Sequence, residues 1–302
     1  MKKLHTNNSF LGFLFALLST AIWSGNFIVA RDLSSEIPPI SLAFWRWTVA
    51  VIVFTPFAIK SLKGNWKELI KNYKYILITS FFGVTIFNTL IYIAGKTTTA
   101  LNLSLISITF PIFIIIFSRF LYKEKITFRK IIGIVLVMVG VSTIITKGSL
   151  TALLELSFHQ GDIWMLLAAI IFAIYSILLK RKPKELNLIP FQYASFVIGL
   201  AMLFPFYLYE ISITETVIYN SNVIGSIIYI GVCASLLAFL LWNKAILLIG
   251  PTKSGMVYYT LPVFSGVLAY FTLNERLSFF HFYSAVLIIS GILISTISKN
   301  KN

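Results

Sequence analysis

The 302 residues are 58% hydrophobic and 16% aromatic, and only 12% carry charge, against about a quarter in an ordinary soluble domain. So few charges cannot coat a soluble fold of this size, which excludes a soluble enzyme, a nucleic-acid-binding module and a disordered chain. The composition is that of an integral membrane protein, and the formal net charge of +15 has to be read by where it falls rather than by its sign.

A bilayer core about 30 Å thick takes roughly 20 apolar residues as a helix. Stretches of that kind cover 10–30, 40–59, 75–94, 100–121, 130–146, 162–179, 189–209, 223–242, 254–273 and 279–297. None alternates in polarity as barrel strands do, so an all-α protein of ten transmembrane helices is expected. Lys2 and Lys3 ahead of the first stretch mimic a signal peptide, but the run is long, polar residues interrupt it and no cleavage site follows; it is expected to stay as a helix. The longest connections lie near 60–74, 147–161 and 210–222, too short for a soluble domain. Gly95-Lys96-Thr97 resembles the end of a phosphate-binding loop, yet Leu90 stands where the first glycine belongs, so ATP hydrolysis is not expected.

Numbering the connections alternately, 20 of the 25 Lys and Arg fall with the two termini and the connections on their side. Four (Arg31, Lys96, Lys147 and Arg276) fall on the other, and Arg46 lies within a span. Cytoplasmic loops are the ones enriched in Lys and Arg, so both termini are expected in the cytoplasm. The positive charge is a topology signal, and no nucleic-acid partner follows from it.

The chain repeats itself. Ala21-Ile22-Trp23 to Arg31 aligns with Ile170-Ile171-Phe172 to Lys180 at an offset of 149, as do Gly12 with Gly161 and Pro56-Phe57 with Pro205-Phe206. Further on, Thr109-Phe110-Pro111-Ile112-Phe113 matches Thr260-Leu261-Pro262-Val263-Phe264 at 151, followed by Glu124 with Glu275 and Gly140 with Gly291. An insertion of two residues reconciles the offsets. Each half, 10–146 and 161–297, holds five spans, an odd number, so the second half enters the membrane inverted. Inverted repeats are the architecture of many secondary transporters.

Trp23-Ser24-Gly25-Asn26, Arg46, the Pro111–Glu124 block with its echo Pro262–Glu275, and the glycine-containing helix after each block resemble the EamA group of the drug/metabolite transporter superfamily. The resemblance covers essentially the whole chain. It implies a multi-pass protein of the plasma membrane (bacterial inner membrane) in a family that includes exporters of amino acids and other metabolites, and it does not fix the substrate; no cofactor is implied.

All ten acidic residues fall in loops or near span ends, so no mid-membrane carboxylate is expected to carry a proton or hold sodium. Arg46 is the one basic residue well inside a span. It would serve either to attract a substrate carboxylate through a bidentate pair or, between Trp45 and Trp47, to brace helix ends at the outer interface. Thr20, Trp23 and Asn26 share one face of the first span, and their repeat partners are Ala169, Phe172 and Tyr175. Span three adds Asn88 and Thr89, span four Asn102, Ser104, Ser107 and Thr109, and span nine Tyr258, Tyr259 and Thr260. Pro111 and Pro262 are expected to kink their helices at symmetric positions. Gln192 and Tyr193 are weaker candidates, Asn243 and Lys244 are expected at the inner interface, and Glu124 and Glu275 are expected to favour helix starts.

The expected function is secondary transport of small metabolites, most simply amino-acid-like export by alternating access. The candidate substrate contacts are Trp23, Asn26, Arg46, Asn88, Tyr175 and Tyr258, with no catalytic or metal-ligating residues. Two other readings compete: a flippase for lipids or lipid-linked sugars on the same architecture, and an integral membrane enzyme, which would need acid–base or metal groups that the sequence does not cluster.

Overall fold

A computed structural model describes every residue except 1, 34–35, 99, 147, 156, 215–216, 218, 274–278 and 297–302; Glu275 and Arg276 lie outside the described residues. The regular structure of the described residues is all helical, with no strand. The elements are α1 (Lys2–Asp32), α2 (Pro39–Lys71), α3 (Tyr73–Ser80), α4 (Phe87–Thr97), α5 (Ala100–Ser107), α6 (Phe110–Tyr122), α7 (Phe128–Ile145) and α8 (Leu150–Leu154). They continue as α9 (Gln160–Lys180), α10 (Leu188–Ile213), α11 (Ser221–Tyr229), α12 (Ala238–Ile249), α13 (Pro251–Tyr258), α14 (Leu261–Leu273) and α15 (Phe279–Thr296). Among the described residues eight helices are long and apolar enough to cross a bilayer, and His281–Thr296 adds a shorter apolar one. Span two runs longer than hydropathy marks. α2 continues through Lys60, Lys63 and Lys67 to Lys71 because Leu, Lys and Glu sustain a helix beyond the apolar core, so the expected loop at 60–71 is helix.

The junctions sort onto two ends of the bundle. At one end, Glu210 near the close of α10 accepts hydrogen bonds from the Ile40 and Ser41 N–H groups (3.1 and 2.6 Å) and the Ser41 hydroxyl (2.8 Å), capping α2 from another helix. There too Asp162 caps α9, accepting from the His159 N–H (2.8 Å), the Asn102 amide (2.9 Å) and the Thr98 hydroxyl. Both carboxylates are buried, and both are engaged at helix starts, where the positive end of the dipole lies. At the other end Tyr122 donates to the Ile177 carbonyl and Arg181 to the Leu121 carbonyl, joining the close of α6 to the close of α9. This end carries the basic connections.

The halves interlock. α1 packs on α12, α9 on α4, and α2 on α10, so each half covers the apolar face of the other. Spans three and eight are each interrupted by a π segment, Phe81–Ile86 and Ile230–Leu237. These segments hold six and eight residues respectively. The offset between halves is 149 where they start and 151 where they end, so the two inserted residues are absorbed by the wider coil of the second. π segments of this kind gather at functional sites.

Symmetry also governs the prolines. The backbone does not kink at Pro111 and Pro262; it breaks one turn earlier, after Ser107 and after Tyr258, and each proline occupies the first turn of the next helix, where its missing N–H costs nothing. In both breaks a threonine hydroxyl donates back three residues, Thr109 to Ile106 (2.7 Å) and Thr260 to Val257 (2.8 Å).

Candidate functional site

Arg46 is completely buried. Trp45 donates to the Tyr219 hydroxyl (2.9 Å) on an exposed edge; Trp47, one hundred degrees per residue further round, points into the core and is fully enclosed. Arg46 Nε donates to the Ser235 hydroxyl (2.7 Å), and its Nη1 donates to Asn88 Oδ1 (2.8 Å), the Tyr92 hydroxyl (2.5 Å) and Asn26 Oδ1 (3.3 Å). Four spans thus converge on one guanidinium. Its carbon also lies 5.2 Å and 5.7 Å from the ring centroids of Trp47 and Tyr92, a cation–π arrangement.

The π segment places Ser235. Its hydroxyl donates to the Ile230 carbonyl five residues back (2.8 Å), which leaves its lone pairs for Arg46. Gly231 in the same segment permits the approach: a Cβ there would sit 2.7 Å from the Val49 side chain and 3.0 Å from the Arg46 carbonyl oxygen. The neighbouring Ala234 carbonyl accepts from Trp23 Nε1 (2.9 Å), and Ser19 donates to the Ala238 carbonyl (3.0 Å), a ladder that holds α1 against span eight.

Donors outnumber acceptors around Arg46. Among the described residues it has no ion pair, and its Nη2 is buried without a hydrogen-bond partner in the protein, as are Asn88 Nδ2 and Trp47 Nε1. The Asn88 amide is oriented by Arg46, which needs Oδ1 as its acceptor, so the NH2 group is the one left over. An unpaired buried cation is costly, and buried polar groups are ordinarily satisfied.

Beside this cluster stands a box of aromatic rings packed directly on one another. Trp23 lies 5.4 Å from Phe172, 5.5 Å from Phe239 and 5.3 Å from Trp242, centroid to centroid. Tyr258 closes another side, 6.3 Å from Trp23 and 4.7 Å from Phe110. A second polar group lies against the box: Tyr175 donates to Asn243 Oδ1 (3.0 Å), and the Asn243 amide donates to Gln192 Oε1. Asn243 is fully buried, in a span that runs on to Ile249; Lys244 beside it lies over the Phe15 ring. The two polar groups are related by the repeat, Asn26 with Tyr175 at 149 and Tyr92 with Asn243 at 151. Arg46 pairs with Ser195, so only one of the two holds a cation.

All six sequence candidates, Trp23, Asn26, Arg46, Asn88, Tyr175 and Tyr258, are buried. The structure unites Asn26, Arg46 and Asn88 by hydrogen bonds, joins Trp23 to Tyr258 in the aromatic box, and sets Tyr175 on its far side. Tyr92, Ser235 and Trp242 escaped notice in the sequence. Tyr92 had a signal, its spacing of four from Asn88 on one helix face; Ser235 had none, since only the π coil turns it inward. Asn102 is not in this group but serves the cap of α9.

The EamA-like transporter family pattern matches residues 10–146 and again 159–297. The chain belongs to the EamA-like transporter family. It is 25% identical to an uncharacterized transporter of Archaeoglobus fulgidus, over 95% of this chain and 98% of the relative, and 27% identical to the uncharacterized transporter YyaM of Bacillus subtilis, over 93% and 92%. It is 23% identical to the S-adenosylmethionine uptake transporter of Rickettsia prowazekii, over 98% and 94%. A solved crystal structure shares the fold at a TM-score of 0.74 and 18% identity, covering 94% of this chain and 96% of the other. This EamA-family chain is a multi-pass membrane protein, and the names of its relatives are those of transporters rather than enzymes.

Proposed function

We propose that this chain carries carboxylate-bearing metabolites, amino acids foremost, across the membrane by alternating access, with Arg46 as the anchor for the carboxylate. One observation carries the reading: a fully buried guanidinium with no ion pair among the described residues, an unpartnered Nη2, and unpartnered donors on Asn88 and Trp47 beside it. Those donors await an acceptor-rich anion, and an incoming carboxylate would neutralise the cation and pair with its planar fork. The rest of the substrate would lie against the box of Trp23, Phe172, Trp242 and Tyr258, mostly apolar with a few placed polar groups, as small-molecule sites are. The relative named for S-adenosylmethionine uptake is consistent with this, because that compound carries an amino-acid carboxylate.

A carboxylate oxygen on Arg46 would compete for Nη1 with Tyr92, Asn26 and Asn88, which belong to spans three and one. Substrate binding would thus loosen bonds between spans of one half while the second half holds Nε through Ser235. That difference couples occupancy to helix movement, as a population shift requires.

Proteoliposomes loaded with a mixture of labelled amino acids test the reading, with the matching carboxamides as competitors. Protein-dependent flux that is blocked by unlabelled amino acids and not by their amides is the expected result. Equal competition by the amides would remove the carboxylate from the recognition and return the flippase reading to the front.

A further inference from the structure

At the basic end of the bundle a cavity of about 710 Å³ opens where α6 ends, α7 begins, α9 ends, α12 gives way to α13 and α15 ends. Among the described residues it is lined by Lys125, Arg129, Lys130, Lys180 and Lys253 with a single carboxylate, Glu124. Glu124 engages Lys180 (3.0 Å) and Lys130 (3.6 Å) and accepts from the Thr252 hydroxyl (2.8 Å). Lys125, Arg129 and Lys253 have no carboxylate partner among the described residues, so three cations face the cavity uncompensated. Its deeper wall is apolar, built from Ile115, Ile249 and Met256, and Phe128 at its rim is 76% exposed. Phe120 on the preceding helix is 77% exposed as well.

We propose that this cavity seats the phosphate headgroup of an anionic phospholipid, with its glycerol and acyl chains running over Phe128 and the apolar wall. A free inorganic anion would use the cations alone and leave the apolar wall and rim without a role; a lipid uses both. Basic pockets between spanning helices on the cytoplasmic side take such headgroups by this combination. The bound lipid would join α7 to the α12–α13 junction, which belong to different halves. The inference stands apart from the substrate reading and does not depend on it.

The test is thermal unfolding of the purified full chain in neutral detergent, titrated with short-chain phosphatidylglycerol, phosphatidylcholine of the same chain length, or sodium phosphate. A saturable rise with phosphatidylglycerol alone is expected. The variant K125Q/R129Q/K253Q should bind it roughly a hundredfold more weakly, from about fivefold for each of the three charges. Two further variants keep the test decisive. Glu124→Gln, which frees Lys130 and Lys180, should bind the lipid more tightly, and K60Q/K63Q/K67Q, which neutralises three exposed cations on α2, should bind like the wild type. An equal rise with phosphatidylcholine, a full rise with phosphate alone, or a loss in the α2 variant as large as in the pocket variant would overturn the proposal.

Discussion

Arg46→Met separates the two things a buried arginine can do. In the folded protein the guanidinium makes four hydrogen bonds, but three of the acceptors keep other partners when it is gone. Ser235 still donates to Ile230, and Tyr92 still donates to Asn26 at 3.3 Å. Only Asn88 Oδ1 is orphaned, at a cost of about 1–3 kcal/mol. Against this, the enclosed charge itself costs several kcal/mol, and replacement of buried ions by apolar groups of similar volume is often neutral or stabilising by about 1–4 kcal/mol. The folded protein should therefore unfold at the wild-type temperature or above it. Substrate binding should suffer, because loss of one partner from a buried hydrogen-bonded charge pair costs about 2–5 kcal/mol, which is about thirtyfold to several thousandfold in Kd. Arg46→Lys keeps the charge without the planar fork and should fall between the two. Thermal unfolding in detergent and equilibrium binding of a labelled amino acid read the two quantities on the same preparations. A methionine variant that binds within twofold of wild type refutes the anchor; one that unfolds with a loss of more than about 3 kcal/mol shows Arg46 to be a brace instead.

Glu124 lies partly exposed at the basic end. Burial works to raise its pKa, but its hydrogen bonds from Lys180 and Thr252 and the charges of Lys180 and Lys130 outweigh that and hold its carboxyl below the usual range. Its contribution is then present above the unfolded pKa and is lost as pH falls through the folded one. The wild type should exceed Glu124→Gln in unfolding temperature at neutral pH, by an amount equivalent to under about 1 kcal/mol for so exposed a pair, and the gap should close in acid; a gap that widens in acid contradicts the assignment. Gly133→Ala would put a Cβ 2.5 Å from the Gly291 carbonyl oxygen, forcing α7 from α15 at about 1–3 kcal/mol. Gly64→Ala in the exposed part of α2 meets nothing within 4 Å and should stabilise by up to about 1 kcal/mol; paired melting curves that rank the two the other way would overturn the packing argument. Glu210→Ala removes the cap of α2 and should cost about 1–3 kcal/mol, measurable as faster hydrogen exchange at Ile40 and Ser41; unchanged exchange there counts against the cap.

Much of the architecture was legible from residues alone. Hydropathy is a local sum, so runs such as 162–179 announce themselves, and the placement of Lys and Arg sorts the connections onto two ends without any coordinates. The 149 and 151 offsets exposed the repeat, and Arg46 stood out because charge inside hydrocarbon is rare. Pairing was another matter. Nothing in the sequence says that Ser235 faces Arg46, since that depends on a π coil which rotates the helix beyond it. Asn243 looked interfacial because a span was ended at 242, whereas α12 continues to Ile249 and buries it against Tyr175 and Gln192. Hydropathy marks where a helix enters the membrane and says little about how far it extends or which face it turns inward. Those depend on contacts between distant segments, such as Trp23 on Ala234 and Glu210 on Ser41, which exist only after the two halves have packed.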